Sequence, residues 1–144
     1  MFSGEYEHTI DEKGRLIIPA DFRAELAEGA FITRGLDGCL SVYPPAVWEA
    51  KVEELSKLPD TRRNVRYLKR MLLAGLKCKL DKQGRILLPA PLREYAGIKS
   101  EVVIIGMDSR LEIWSKERWQ EKVIATIESK SSEFAEQLAE LGLL

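Results

Sequence analysis

DEKGRLIIPADFR at residues 11–23 and DKQGRILLPAPLR at residues 81–93 are one pattern written twice. Asp, Gly, Arg, two aliphatic residues, Pro, Ala and a closing Arg recur 70 positions apart. Internal repetition of this kind decides the architecture before any local reading does. Two copies are too few for a solenoid, which needs about three or more units to bury a continuous core. The pattern predicts one domain made of two similar halves.

Working outward from the first copy, residues 5–10 alternate in the period of a half-buried strand, with Tyr6, His8 and Ile10 on one face. Asp11-Glu12-Lys13-Gly14 reads as a type I turn, with Asp first and Gly fourth. Gly14 would take a left-handed conformation and close a three-residue hairpin loop, and residues 15–18 would return as the second strand. Pro19 stops the ladder and suits the first turn of a short helix over 20–26. Residues 31–34 and 39–43 form a further strand pair around Gly35-Leu36-Asp37-Gly38. Pro44-Pro45 opens a helix over 46–58, with Trp48, Val52 and Leu55 inward and Glu49 and Glu53 outward.

The second half retraces this course. Residues 81–84 repeat the turn, with Gly84 in the place of Gly14, and residues 85–88 repeat the return strand. Residues 101–105 and 110–114 repeat the later strand pair, with Gly106 matched to Gly35 and Trp119 to Trp48 at an offset of 71. The resulting organisation is repeat 1 over 5–47, linking helices over 48–75, repeat 2 over 76–119 and a helical tail over 120–144. A helix from about Ser115 carries Trp119, Val123 and Ile127 and leads into the tail, where Phe134, Leu138 and Leu141 recur at helical spacing. An amphipathic face of that kind docks on its own core or on a neighbouring chain.

Apolar residues make up 45% of the chain and charged residues 31%, an ordinary globular balance. The formal net charge of −1 gives no global sign of a polyanionic partner. The local distribution is uneven. With Asp60 or Thr61 as N-cap, a helix places Val65, Leu68 and Leu72 on one face. Arg62, Arg63, Arg66, Lys69 and Arg70 then fall within roughly a third of the circumference, at about 100° per residue. Lys77, Lys79, Lys82 and Arg85 prolong the basic stretch. This helix supports two readings. It adds phosphate contacts with a steep salt dependence, or it bridges to acidic helix faces (Glu49, Glu53, Glu54) within or between subunits.

Several classes of function find no support. No apolar run approaches a membrane span, and Met1-Phe2-Ser3-Gly4-Glu5 does not read as a signal peptide, so a soluble cytosolic protein is expected. Cys39 and Cys78 form no C-x-x-C pair and read as partly buried thiols rather than as zinc or redox ligands. His8, the one histidine, reads as a packed strand residue. No phosphate loop, metal-ligand spacing or nucleophile–base pair is present, so no catalytic residue, metal, cofactor or small-molecule substrate is expected. Asp11 and Asp81 as paired acid–base catalysts are the enzyme alternative, but the Gly-Arg turn that follows each accounts for it without catalysis.

The spacing Asp-x-x-Gly-Arg puts an acceptor at the start of a turn and a guanidinium at its exit. Asp11 can accept backbone N–H bonds inside its own turn and also orient Arg15, leaving part of the arginine fork for an outside acceptor. Lys13 stands at the tip. A two-stranded ribbon fits the major groove of duplex DNA, and a fixed arginine reads guanine O6 and N7. The turn alone leaves two readings open: a basic tip presented to a nucleic-acid groove, or a motif whose Asp and Arg only pin register.

MFSGEYEHTIDEKGRLIIPADFR, the second DKQGR, TRGLDGCLSVYP and VVIIGMDSRLEIWSKERW together resemble the MraZ family of bacterial regulators, a member of the AbrB/MazE-like swapped-hairpin barrels with a doubled D-x-x-x-R motif. The resemblance covers essentially the whole chain. It implies a mixed α/β fold: a swapped-hairpin (double-split β-α-β) AbrB-like β-barrel formed by two tandem repeats, with peripheral helices. It implies a cytoplasmic, nucleoid-associated, double-stranded-DNA-binding regulator of the division and cell-wall gene cluster, its own gene included. It further implies a homo-oligomeric ring that recognises repeated boxes. Carried onto this chain, the motif falls on Asp11 and Arg15 and on Asp81 and Arg85. Lys13, Gly14, Arg15, Lys82 and Arg85 are then the expected DNA-binding residues, with Asp11, Asp81 and Gly84 in support. Gln83 replaces Lys13 and Lys82 replaces Glu12 in the second copy, so the two tips need not contact DNA equally. Arg62, Arg63, Arg66, Lys69 and Arg70 are expected to serve the lateral contacts of a ring, with phosphate contacts the alternative. A MazE-like protein-binding antidote, or an oligomeric interaction module, is the rival function.

Overall fold

A computed structural model describes all 144 residues. Its strands are β1 (Glu5–Thr9), β2 (Arg15–Ile17), β3 (Ala30–Arg34), β4 (Leu40–Tyr43), β5 (Leu76–Cys78), β6 (Arg85–Leu87), β7 (Glu101–Met107) and β8 (Arg110–Ser115). Its helices are α1 (Ala20–Arg23), α2 (Pro45–Ser56), α3 (Arg63–Leu73), α4 (Ala90–Ala96), α5 (Lys116–Arg118), α6 (Ala125–Ser129) and α7 (Ser131–Glu140). A single wider turn of π-helix, Trp119–Ile124, joins α5 to α6.

The two halves exchange strands. A six-stranded antiparallel sheet runs β1-β7-β8-β4-β3-β5, and β2 pairs with β6 in a separate antiparallel ribbon. Each half therefore lends its first strand to the other half's hairpin: β1 lies beside β7, and β5 beside β3. The middle of the sheet is the β4–β8 contact between the two hairpins. This interdigitation is the one the swapped-hairpin resemblance implies. The ladders do not run on into one unbroken cylinder; sheet and ribbon close on each other through a shared core. Pro19 and Pro89, which have no N–H to give a ladder, end the ribbon strands and open α1 and α4.

Residues 5–10 and 15–18 do not pair as the expected hairpin. The turn forms as expected, with Gly14 at φ 83°, its N–H on Asp11 O at 3.0 Å, and Asp11 N–H on Arg15 O at 3.0 Å. The strands on either side then part: β1 pairs with β7 and β2 with β6. Ile10 N–H goes to Ser100 O rather than across the turn. The ribbon that carries the motif is built from both halves.

The principal core lies between the sheet's inner face and the ribbon. Leu16 and Ile86 of the ribbon strands, and Ile18 and Leu88 just beyond them, pack against Ile32, Leu40, Val42, Ile104, Leu111 and Ile113, with Phe22 and Leu92 from α1 and α4. The sheet's outer face carries the other helices. Trp48 of α2 stacks on Phe31 with ring centroids 3.9 Å apart. Trp119 packs with Val103 and Trp114 around the buried Cys39, while Cys78 is only partly buried. Thr33 Oγ1 donates to the carbonyls of Met71 and Leu72 at 3.2 and 2.6 Å, which ties α3 to this outer face.

Four finer expectations change. Arg62 is the extended N-cap residue of α3, not part of it, and no side-chain cap from Asp60 or Thr61 forms. Leu68 is exposed, and Val65 and Leu72 alone face inward. The wider π turn moves the buried face from Ile127 to Ile124, because one extra residue per turn rotates the helix beyond it; Ile127 is 50% exposed. The hairpin pairing sets Arg34 opposite Leu40 and Gly106 opposite Leu111, so Gly106 corresponds in space to Arg34 and not to Gly35. The first hairpin has a three-residue loop, Leu36–Gly38, where the second turns in two.

Candidate nucleic-acid interface

Each tip is wired alike. Asp11 Oδ1 accepts the N–H groups of Lys13 and Arg15 at 3.0 and 2.8 Å, and its Oδ2 accepts Arg15 Nε at 2.7 Å. Asp81 Oδ1 accepts Gln83 and Arg85 N–H, both at 2.9 Å, and its Oδ2 accepts Arg85 Nε at 2.8 Å. These bonds favour the ionised carboxylate. The backbone N–H of Arg15, then the Arg15 side chain and Lys13 N–H, hold Asp11 below the usual carboxylate range against some desolvation. Asp81 is lowered in the same way by Arg85 and Gln83. Only Nε of each arginine is engaged, so the terminal nitrogens of both forks remain for an acceptor outside the chain.

The register of the ribbon aims both arginines to one side. Arg15 lies opposite Leu87, Ile17 opposite Arg85, and Leu16 opposite Ile86. Leu16 and Ile86 point into the core, so the alternate residues Arg15, Ile17, Arg85 and Leu87 form the outward face. Two guanidinium groups occupy diagonal corners, and Ile17 and Leu87 lie between them, 36% and 53% exposed. Lys13 and Lys82 are exposed at the turns on either side.

Gly14 and Gly84 do more than turn. Gly14 O accepts Leu88 N–H and Gly84 O accepts Ile18 N–H, each at 2.8 Å, so each turn is fastened to the other half. A methyl group at Gly14 would stand 2.9 Å from Leu88 O and 3.1 Å from Arg93 Cζ; one at Gly84 would collide with the Arg23 guanidinium. Arg23 and Arg93, the closing arginines of the repeated motif, therefore lie under the tips of the opposite halves. Arg23 Nε donates to Ile18 O at 2.8 Å, whereas Arg93 Nε is buried without a partner. The recurrence of this arginine was visible in the sequence; its contact with the other copy's glycine was not.

The basic residues of α3 lie across the sheet from the ribbon, since α3 rests on the face that carries Thr33 and the ribbon on the face that carries Ile32. Among its own chain's acids none of them pairs with Glu49, Glu53 or Glu54; Lys69 pairs instead with Asp60 at 2.5 Å. Arg66 donates to the carbonyls of Asp60 and Thr61. Arg63 and Arg70 flank the exposed ring of Tyr67, each with its guanidinium carbon 5.1 Å from the ring centre. No group of three or more His, Cys, Asp or Glu side chains is arranged to hold a metal ion. No helix is long and apolar enough to cross a membrane.

Two tandem repeats that trade their first strands, and so set two carboxylate-fixed arginines on one composite ribbon, define a strand-swapped two-repeat protein of the D-x-x-x-R type. The family model described as "MraZ protein, putative antitoxin-like" matches twice, over residues 1–71 and 71–141. The chain belongs to the MraZ family, which is a family of regulators and not of enzymes. It is 51% identical over 142 residues to the transcriptional regulator MraZ of Roseiflexus castenholzii, covering 98% of this chain and 99% of the relative. It is 55% identical over 122 residues to that of Moorella thermoacetica, covering 84% and 85%. It is 46% identical over 144 residues to that of Pediococcus pentosaceus, covering 99% and 100%.

Proposed function

We propose that this protein is a transcriptional regulator that binds duplex DNA through the outward face of the β2–β6 ribbon. The observation that carries the reading is the pair of Asp-held arginines on diagonal corners of that face. A ribbon of two strands enters a major groove about 12 Å wide. Arg15 and Arg85 then have free fork nitrogens for guanine or phosphate. Ile17 and Leu87 have methyl groups for thymine, and Lys13, Lys82 and the Gly14 turn lie against the flanking backbone. Asp11, Asp81 and Gly84 hold this geometry. A single ribbon covers little DNA, so several copies in a ring on repeated boxes would supply the affinity, by a factor of about 10²–10⁴ from effective concentration. Occupied boxes would exclude polymerase. The family resemblance supports the division and cell-wall gene cluster, with its own gene, as the target, and the nucleoid as the place of action.

The position of α3 favours a lateral role for Arg63 and Arg70 over contact with the same duplex, because the sheet separates them from the ribbon. A second reading, a protein-binding antidote, is favoured by one observation, the unburied apolar face of α7. Footprinting on DNA upstream of its own gene at two salt concentrations tests the first reading. Periodic protection that weakens steeply with salt is expected; absence of protection at both would overturn it.

A further inference from the structure

The two halves differ on the outer face in one respect that their shared motif does not explain. Beside α5, Lys116 Nζ stands 3.5 Å from Glu7 and 3.3 Å from Glu101, an ion cluster that bridges α5 to edge strand β1 and to β7. The same positions in the first half hold Pro45, Lys77 and Gly29, which form no such cluster. A cleft of about 690 Å³ opens there between α2, β5 and the end of α3. Its floor is apolar, made by Phe31, Trp48 and Val52, and Leu73 stands at its rim, 46% exposed. Lys77 of β5 and Lys79 just beyond it line the cleft, together with Glu28 and Glu49.

The same chain carries an apolar surface without a seat. No residue of 125–144 is buried. Phe134, Leu138 and Leu141 make one stripe of α7, the last two 40% and 72% exposed, and span about 10 Å at 1.5 Å per residue. Glu133, Glu136 and Glu140 run alongside, and no basic residue follows Lys130. The cleft lies under β3 and β5, whereas the helix leading to α7 packs over β7, three strands from β3. At about 4.8 Å per strand, α7 as placed is remote from its own chain's cleft.

We infer that the cleft between α2 and β5 receives α7 of a second copy of this chain. Phe134, Leu138 and Leu141 enter over Trp48 and Val52, and the acidic flank of α7 faces Lys77 and Lys79. Charge supports a second copy as occupant: the tail is acidic, and the wall it meets is the basic edge of the sheet. The contact is not reciprocal. Each copy gives a tail to one neighbour and takes one from another, which is the head-to-tail geometry that closes into rings when the rotation permits. The inference rests on the homo-oligomer proposed above and names the contact that builds it.

Sedimentation velocity on the full chain, on a chain ending at Lys130, and on Leu138→Asp/Leu141→Asp tests it. Circular dichroism reports whether each is folded. The full chain should sediment as a multimer, and both tail variants as folded single chains. A full chain that is monomeric at all concentrations would remove the oligomer itself. Tail variants that keep the full mass would remove only the tail from it. The cleft is tested with Leu73→Asp, and with Lys77→Glu should the former fail to fold. This variant should dissociate alone, yet form a one-to-one complex when mixed with the tail variant, whose cleft is intact. A cleft variant that stays multimeric, or a mixture that stays monomeric, would overturn the seat assigned here.

Discussion

Asp11→Asn separates the two tasks of the tip carboxylate, because they fall on different oxygens. Oδ1 holds the turn by accepting the N–H groups of Lys13 and Arg15, and Asn retains an oxygen that can do so. Oδ2 orients Arg15 through Nε, and in Asn that position becomes an NH₂ that cannot accept. The turn should survive, with a melting temperature within about 2 °C of the parent. Arg15 loses its tether and must be ordered by DNA itself. Ordering a rotamer-rich side chain at an interface costs about 0.5–1.5 kcal/mol, which is about a 2- to 12-fold loss in Kd per tip. An opposing term exists, because removing a negative charge near phosphate strengthens attraction at every sequence. Screening decides between them: the Debye length falls from about 10 Å at 0.1 M salt to about 3 Å at 1 M, so the orienting term dominates as salt rises. Fluorescence anisotropy with the upstream DNA and with a scrambled duplex, at 0.1 M and 0.3 M salt, reads both. Asp11→Asn should lower the specific-to-nonspecific ratio by that factor while nonspecific binding holds or rises. An unchanged ratio at both salts would refute the orienting role, and a large drop in melting temperature would refute the division between the oxygens.

Three further outcomes rest on the same geometry. Leu16→Ala or Ile86→Ala, on the buried face of the ribbon, should cost about 2–5 kcal/mol in urea denaturation; Ile17→Ser, one residue away and facing out, should stay within about 0.5 kcal/mol. Asp11 and Asp81 have folded pKa values below their ordinary 3.8. Their contribution is therefore complete above about that pH and is lost as pH falls through the lowered values. Acid titration of Asp11→Asn/Asp81→Asn should lose less stability below pH 4 than the parent, and an identical acid limb would count against the bonds described. Burial pushes the Cys39 thiol up to about 12 and the Cys78 thiol to about 11. Iodoacetamide at pH 8 should modify both slowly in the native chain and both rapidly in urea, as read by mass spectrometry.

Local chemistry was legible in the sequence wherever one stretch determined it. Asp, Gly and Arg at fixed spacing specify the turn, the positive φ of Gly14 and Gly84, and the Nε bond, because all partners lie within five residues. Pro19 and Pro89 likewise mark where the ribbon ends. Partnership between strands was not legible from the residues, because period-2 alternation says which side of a strand is buried and not which strand lies beside it. For that reason β1 and β2 read as one hairpin, although they belong to a sheet and to a ribbon shared between halves. The exchange itself entered through the family resemblance. The outward placement of Leu68 comes from the side on which α3 rests on the sheet, and that of Ile127 from one wide turn at 119–124, neither of which hydrophobic spacing encodes. Arg23 and Arg93 were visible as recurring residues and silent as contacts, since the glycine each one meets lies in the other repeat.

The proposed function stands on one composite ribbon presenting Arg15 and Arg85 together to DNA. The most direct measurement is the affinity of Arg15→Ala, Arg85→Ala and the double variant for upstream DNA across a salt series, with assembly checked by sedimentation. Each single change should weaken specific binding by about 1–3 kcal/mol for a base contact, or reduce the salt slope by about 1 for a phosphate contact. The double variant should lose specific retention with its assembly intact. Parental affinity and salt slope in the double variant would exclude the ribbon as the DNA-binding face.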